Sequence, residues 1–591
     1  MIASRKCASA IGVIGVLMLI GAQPALADGY ESPAAAVQPF TWTGFYVGAQ
    51  LGGLANLSEV SDPLGSSLFG NPNVATGAFA GGQIGYNYQS GMVVYGLEAE
   101  LAFPQTGGTS TCSALSGWFI NSNCKIGVDT FGALTGRLGL ALGPDGRSLI
   151  YGKAGAAWYT GHLDLATNDG EMGGFGNPFL TRSDDLSKWG WTLGAGAEYA
   201  LTGNWSMKAE YDYANFGSQS VTLPPSVYIG RDGSIDASVP AREGHISNEM
   251  HSFKLGLNYR FGDNGALVDA VEAAGATDAL SPALNRFGFE GGGRYWYSWG
   301  RHKYDLGMNK NAPAASYALI SRLTYDDIDA STAEAFGRVT APWNTFVKGF
   351  IGGGSITGGR MNDEDFNIPG DAHVAPDVHD RIPYSNTISP KVEGDIPVYG
   401  TIDAGYDWWR APRYRFGTFF GYNYYSESMG ALGVAQTANP FGPAGPANGG
   451  YSGPAGHPII SQEAVWQSLR LGAAGEFYLA PRLKLSGEAA YLPYVSVHAR
   501  DMHFQGMTTG VASINPINGN GVGTQLEAIM SYDLTQQLSI GVGARYWAMW
   551  TTDTSEQRSY DSSSPGPFLP QHSKIETERA GVLGQILYKF D

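Results

Sequence analysis

The segment "HSFKLGLNYRFG" at 251–262 alternates strictly along the chain. Phe253, Leu255, Leu257, Tyr259 and Phe261 fall on one face of an extended backbone, and Lys254, Gly256, Asn258 and Arg260 fall on the other. Successive side chains of a strand point to opposite faces, so this pattern predicts a strand that is apolar outside and polar inside, as in a membrane-crossing barrel. "GFYVGAQLGG", "GAFAGGQIGYNYQ", "MVVYGLEAELAF", "FGALTGRLGLAL", "LIYGKAGAAWYTGHLDL", "WGWTLGAGAEYAL" and "NWSMKAEYDYANF" repeat it. Together they predict about eight strands, enough for a small closed barrel.

After a small, polar, Ala-rich stretch at 263–285, the pattern resumes. That stretch reads as a periplasmic linker, helical in part. Beyond it, segments from "FGFEGGGRYWYSWGRHKYDL" to "RAGVLGQILYKF" predict about ten further strands, an even number as bacterial barrels prefer. The last of them ends on Phe590, one residue before the end of the sequence. Several exceed the roughly ten residues needed to cross a bilayer and should project above it. The expected fold is all-β: two tandem transmembrane antiparallel β-barrels. The expected division is a signal peptide at 1–27, an eight-stranded barrel at 28–262, the linker at 263–285 and a ten-stranded barrel at 286–591.

Composition narrows the setting. Only 15% of the residues are charged and 84 are Gly, whereas a soluble chain would carry about 25% charged residues. The net charge of −17 argues against a nucleic-acid partner, which would need a basic face. Arg5 and Lys6 precede a short apolar run that ends at an A-x-A site formed by Ala25, Leu26 and Ala27, as in a secretory signal. The expected location is the outer membrane of a Gram-negative bacterium. Cys112 and Cys124 flank a polar, loop-like segment. In an oxidising envelope they are expected to close a loop-stapling disulfide, with two free thiols as the alternative.

The candidate chemistry lies at two strand ends. "GGRMNDEDFN" at 358–367 places Asp363, Glu364 and Asp365 side by side, although adjacent carboxylates repel and are poor strand formers. Residues two apart share a face, so Asp363 and Asp365 point one way and Glu364 the other. In "HARDMHF", Asp501 and His503 share a face in the same manner. Both pairs end an ascending strand, which puts them at the same, outer rim of the second barrel. A histidine beside a carboxylate is held in one tautomer and can serve as a general base. Two carboxylates opposite could hold a water.

"TWTGFYVGAQLGG" and "FKLGLNYRFG" resemble the small outer-membrane porin family of alphaproteobacteria, over about residues 41–262. "ISRLTYDD", "GGRMNDEDF", "RYRFGTFFGYNYYS", "SLRLGAAGEFYL" and "SVHARDMHF" resemble, in order, segments of the omptin family of outer-membrane endopeptidases, over about residues 286–590. That resemblance implies a ten-stranded barrel with Asp363 and Asp365 as the Asp pair and Asp501 and His503 as the dyad. It implies direct attack by water on a peptide bond, with His503 as base, Asp501 orienting it, Asp363 holding the water and Asp365 supporting Asp363. No metal, serine or other cofactor enters. The partners implied are a peptide or protein substrate and outer-membrane lipid, with a requirement for lipopolysaccharide left open.

The chain departs from the family at Ala499, where the resemblance would put an acid that helps select basic side chains, so a strong preference for Lys or Arg is not implied. Alternation also breaks between "LKLSGEAAY" and "VSVHARDMH", where Pro493 suggests a β-bulge. The loop "DAHVAPDVHD" at 371–380 could hold a divalent cation, but reads more simply as solvated. "NPFGPAGPANGGYSGPAGHP" at 439–458 reads as a flexible outer loop, and the many Tyr and Trp residues read as interfacial girdles. The competing functions are a non-catalytic structural or adhesin double barrel and a diffusion pore.

Overall fold

The computed structural model describes residues 40–63, 73–114, 121–143, 146–167, 181–229, 235–262, 286–309, 319–365, 368–369, 381–382, 385–411, 413–438, 452–504, 511–552, 555–557, 560–561 and 571–590. The expected signal segment, the linker and the 371–380 loop lie outside these residues.

Two rings of antiparallel strands account for most of the described residues. The first is a closed eight-stranded barrel whose first strand, Gly44–Ser61, pairs with its last, Arg242–Arg260. Its other strands are Asn73–Ser90, Val93–Ala114, Asn121–Leu142, Ser148–Thr167, Thr181–Ala200 and Trp205–Leu223. The second ring closes by pairing Gly288–Asn309 with Gln571–Phe590. Between these run Leu319–Thr340, Thr345–Asp365, Lys391–Ala411, Tyr414–Ala438, Ser452–Ala480, Leu483–Phe504, Val511–Asp533 and Leu538–Thr551. Strand Ser452–Ala480 takes in residues 452–458, which the sequence reading assigned to a loop. The pairing of Val434 and Ala435 with Gly453 and Ser452 extends the ladder above the membrane, despite the glycines.

The alternation of apolar and polar residues has a clear cause inside the first barrel. Lys153, Lys208, Lys254 and Arg137 meet Glu98, Glu100, Glu198 and Glu210 in the lumen, with Lys153 Nζ 2.7 Å from Glu210 and Arg137 Nη2 2.8 Å from Glu198. Buried charges persist only when paired, and here they fill the bore. The second lumen is partly aromatic. Trp547 packs against Trp296 at 5.3 Å and against Phe350 at 6.0 Å, and Tyr399 joins them. Only part of the aromatic content therefore forms girdles. Trp189, Trp343 and Trp408 are exposed on the outside, whereas Trp296 and Trp466 are fully enclosed because a narrow barrel needs bulk at its centre.

The outward faces also divide. Leu97, Leu138, Ile351 and Phe420 are exposed, as lipid-facing residues must be. Phe253 and Leu255 have the same outward phase but are buried, packed with Leu526, Ala528, Ala544 and Tyr546 of the second barrel. The barrels stand side by side. Near one end Tyr199 stacks on Phe477, with ring centres 5.3 Å apart. A Cβ on Gly53 would lie 2.8 Å from Leu526 Cδ1, so that glycine permits the close approach.

Candidate active site at the mouth of the second barrel

On the Leu483–Phe504 strand, exposed Tyr491 and Tyr494 mark the upper edge of the apolar band. The strand then continues upward. Its register with the next strand shifts between Leu492 and Val495, across Pro493. Leu492 and Val495 are both buried in the lumen, so the bulge exchanges the inward and outward sets. Above it Val497, Ala499, Asp501 and His503 face inward. Without that shift the dyad would point away from the mouth.

His503 Nε2 lies 2.7 Å from Asp501 Oδ2. The Asp501 side chain is 3% exposed and that of His503 is 40% exposed. The carboxylate therefore sits under the imidazole, and the imidazole meets solvent. With the Nε2 proton directed at Asp501, the lone pair is on Nδ1. Asn515 on the next strand donates to the same Asp501 oxygen at 3.3 Å. Asp501 Oδ1, both polar atoms of Gln462 and Asn515 Oδ1 are buried without a hydrogen-bond partner among the described residues. Gln462 and Asn515 are the cross-strand neighbours of Asp501 on either side. Such a cluster suits a bound water or a peptide amide.

Asp363 belongs to the Thr345–Asp365 strand. Three barrel strands separate it from the His503 strand on one side and five on the other, so the two face each other across the ring. Gly359, with a positive φ of 151°, lies two residues before Met361, where the ladder with the preceding strand is irregular. Met361 is enclosed in the lumen core, and Asp363, two residues on, shares its inward phase and is half-buried. Asp365 ends the strand, its backbone paired with Ser321 and Ser385. The Asp365 side chain lies outside the described residues.

Glu364 points the other way. It is buried on the outer wall, 3.9 Å from Arg322 Nη1. Asp363 and Glu364 thus occupy different environments, which separates these two adjacent carboxylates.

Two tyrosines missed by the sequence reading complete the floor. Tyr304 and Tyr325 are buried, and neither hydroxyl has a hydrogen-bond partner among the described residues. Burial pushes the Tyr325 phenol well above its usual range, and the negative charges of Asp501 and Asp363 add to that. Burial does the same for Tyr304, with Asp501 and Asp305 contributing. Both stay neutral donors. One phenol thus feels a carboxylate from each pair. Their signal in the sequence is inward phase alone, shared with any core residue.

Cys112 and Cys124 are joined as a disulfide in the outer hairpin of the first barrel, with Cα atoms 5.7 Å apart.

Residues 16–261 match the family described as "Outer membrane protein beta-barrel domain". A 31 kDa outer-membrane immunogenic protein of Brucella melitensis is 32% identical over 235 residues, covering 39% of this chain and 87% of the relative. A 22 kDa outer membrane protein of Rhizobium leguminosarum is 31% identical over 223 residues, 37% of this chain and 79% of the relative. Among solved structures, the outer membrane protease OmpT from Escherichia coli aligns with a TM-score of 0.42 at 16% identity, covering 51% of this chain and 97% of that chain. Through its N-terminal half the chain belongs to the outer membrane protein beta-barrel family, and it is an outer-membrane β-barrel protein.

Proposed function

We propose that the second barrel is an endopeptidase whose site opens to the cell exterior. The observation that carries this reading is the buried Asp501 beneath solvent-facing His503, with Asp363 directed inward from the opposite wall. In the proposed reaction His503 Nδ1 takes a proton from a water held by Asp363. The hydroxide attacks the peptide carbonyl, and the imidazolium, stabilised by Asp501, returns a proton to the leaving amine. Asp365 supports Asp363. No acyl-enzyme forms, and the chain's own carboxylates and imidazole supply every proton transfer. The resemblance of "GGRMNDEDF" and "SVHARDMHF" to omptin segments supports the same assignment of roles.

The substrate is a peptide or protein reaching the outer surface. Ala499, beside Ala464 and Ile517 and buried with them, gives an apolar lining below the dyad. That lining supports cleavage without a strong demand for Lys or Arg. Outer-membrane lipid, including lipopolysaccharide, is the proposed surrounding in which activity is expressed. Digestion of a peptide library by the purified protein in lipid, beside its His503→Ala variant, tests the reading. Cleavage by the first and none by the second is expected, and equal patterns from both would refute it.

A non-catalytic structural or adhesive role is the second reading, favoured by relatives named only as outer-membrane proteins. It predicts no hydrolysis at all. A diffusion pore fits least, because paired charges fill the first lumen.

A further inference from the structure

We propose that the outer hairpin of the first barrel positions the Asp363–Asp365 strand end of the second, with Thr109 and Thr111 as the positioning residues. The catalytic consequence rests on the endopeptidase reading above.

The hairpin formed by Val93–Ala114 and Asn121–Leu142 rises above the membrane and leans on the outer wall of the second barrel. Thr111 Oγ1 accepts a hydrogen bond from Arg322 Nη1 at 2.7 Å. Thr109 Oγ1 donates to Asp305, and Lys303 Nζ donates to the Thr109 carbonyl at 2.8 Å. Arg322 Nε donates in turn to Asp305 Oδ1 at 2.8 Å. Arg322 is also the cross-strand partner of Glu364.

On an isolated barrel these outward charges would stand in water above the bilayer. Exposed ion pairs contribute little and hold no fixed geometry. Here Arg322 is 2% exposed and Glu364 3%, and a desolvated, hydrogen-bonded network does fix side chains. Glu364 shares its backbone with the two acids on either side. Holding its side chain against the wall sets the pleat that turns Asp363 inward. The Cys112–Cys124 disulfide braces the hairpin beside Thr111, whose cross-strand partner is Asn123. The first barrel is then part of the site's support, beyond any role as an anchor.

The test uses the full chain in lipid vesicles, comparing the Thr109→Val/Thr111→Val double variant with the Thr109→Ser/Thr111→Ser double variant. Two quantities are read: kcat and KM on a peptide that the wild type cuts, and backbone hydrogen exchange at 361–365. Loss of the hydroxyls should lower kcat roughly tenfold to hundredfold, the range expected when a catalytic group is displaced from afar. KM should stay within about twofold, exchange at 361–365 should quicken, and the serine variant should restore both. Wild-type kcat and exchange in the valine variant would overturn the proposal, as would equal losses in the serine variant. If the wild type cuts nothing, the endopeptidase reading alone fails. Exchange then decides: faster exchange in the valine variant upholds the positioning, and unchanged exchange overturns it.

Discussion

The imidazole of His503 rests on a carboxylate that is almost completely buried, with Asp501 Oδ2 2.7 Å from Nε2. Replacing the acceptor with an amide of the same shape would present the wrong partner to Nε2–H. Asp501→Asn is therefore expected to lower kcat about 10³-fold or more while the barrel remains folded. Steady-state kinetics beside circular dichroism would check this. A variant with wild-type kcat would remove Asp501 from the mechanism.

The contact between the barrels depends on small residues. At Gly53 any side chain would meet Leu526. Gly53→Leu should wedge the barrels apart without unfolding either, since the substituted side chain points out of the first lumen. With a protease site placed between residues 262 and 286, the cut wild-type halves should co-elute in detergent and the cut variant halves should separate. Co-elution of both would contradict this account of the contact.

Acid should loosen the outer part of the same contact. Burial raises the pKa of Glu576, but Lys303, Lys574 and Arg301 outweigh it and hold the carboxyl at about 2. Asp305 is likewise held below the usual range, burial being overcome chiefly by Arg322 and Lys303. A carboxyl with a depressed pKa stabilises the docked state above its ordinary value of about 4, and that contribution is lost as pH falls through the lowered one. Lys303 has its pKa brought down to about 8, mainly by burial, so the docked state gains further as pH rises past that value. Hydrogen exchange at 303–305 and 574–576 should be slow at neutral pH and quicken below about pH 4. Equal protection at pH 3 and pH 7 would be the contrary result.

In the first lumen Lys153 contacts Glu98, Glu100, Glu210 and Asp212. Lys153→Ala strands buried carboxylates and should cost about 3–5 kcal/mol, measured as a shifted urea midpoint in lipid. The wild type should show negligible single-channel conductance, because that lumen is filled. A steady open current would revive the pore reading.

The fold was largely legible because a barrel wall writes its two faces into alternate residues, as Phe253 to Phe261 do. Alternation separates outside from inside, but not lipid from protein. Phe253 and Leu255 read as lipid-facing and are instead covered by the second barrel. Nothing local in the sequence marks a contact between residues more than two hundred positions apart. Aromatic content was ambiguous for a similar reason: Trp296 and Trp343 have the same composition signal, yet one fills a lumen and the other faces outward. At the site, the D-x-H spacing put Asp501 and His503 on one face, and Pro493 flagged the phase change that turns the dyad inward. Glu364 was seen to point away, but its partner Arg322 and the threonines beyond could not be read from spacing. Those contacts depend on how two closed barrels lean together.

The most direct measurement is a double-mutant cycle on peptide cleavage in lipid, combining Asp363→Asn with His503→Ala. Groups acting on one water lose function as a unit, so each single variant should lower kcat/KM by about 10³-fold or more and the double variant should lose little beyond the worse single. Losses that simply multiply, a His503→Ala variant as active as the wild type, or a wild type that cuts no peptide would contradict the account.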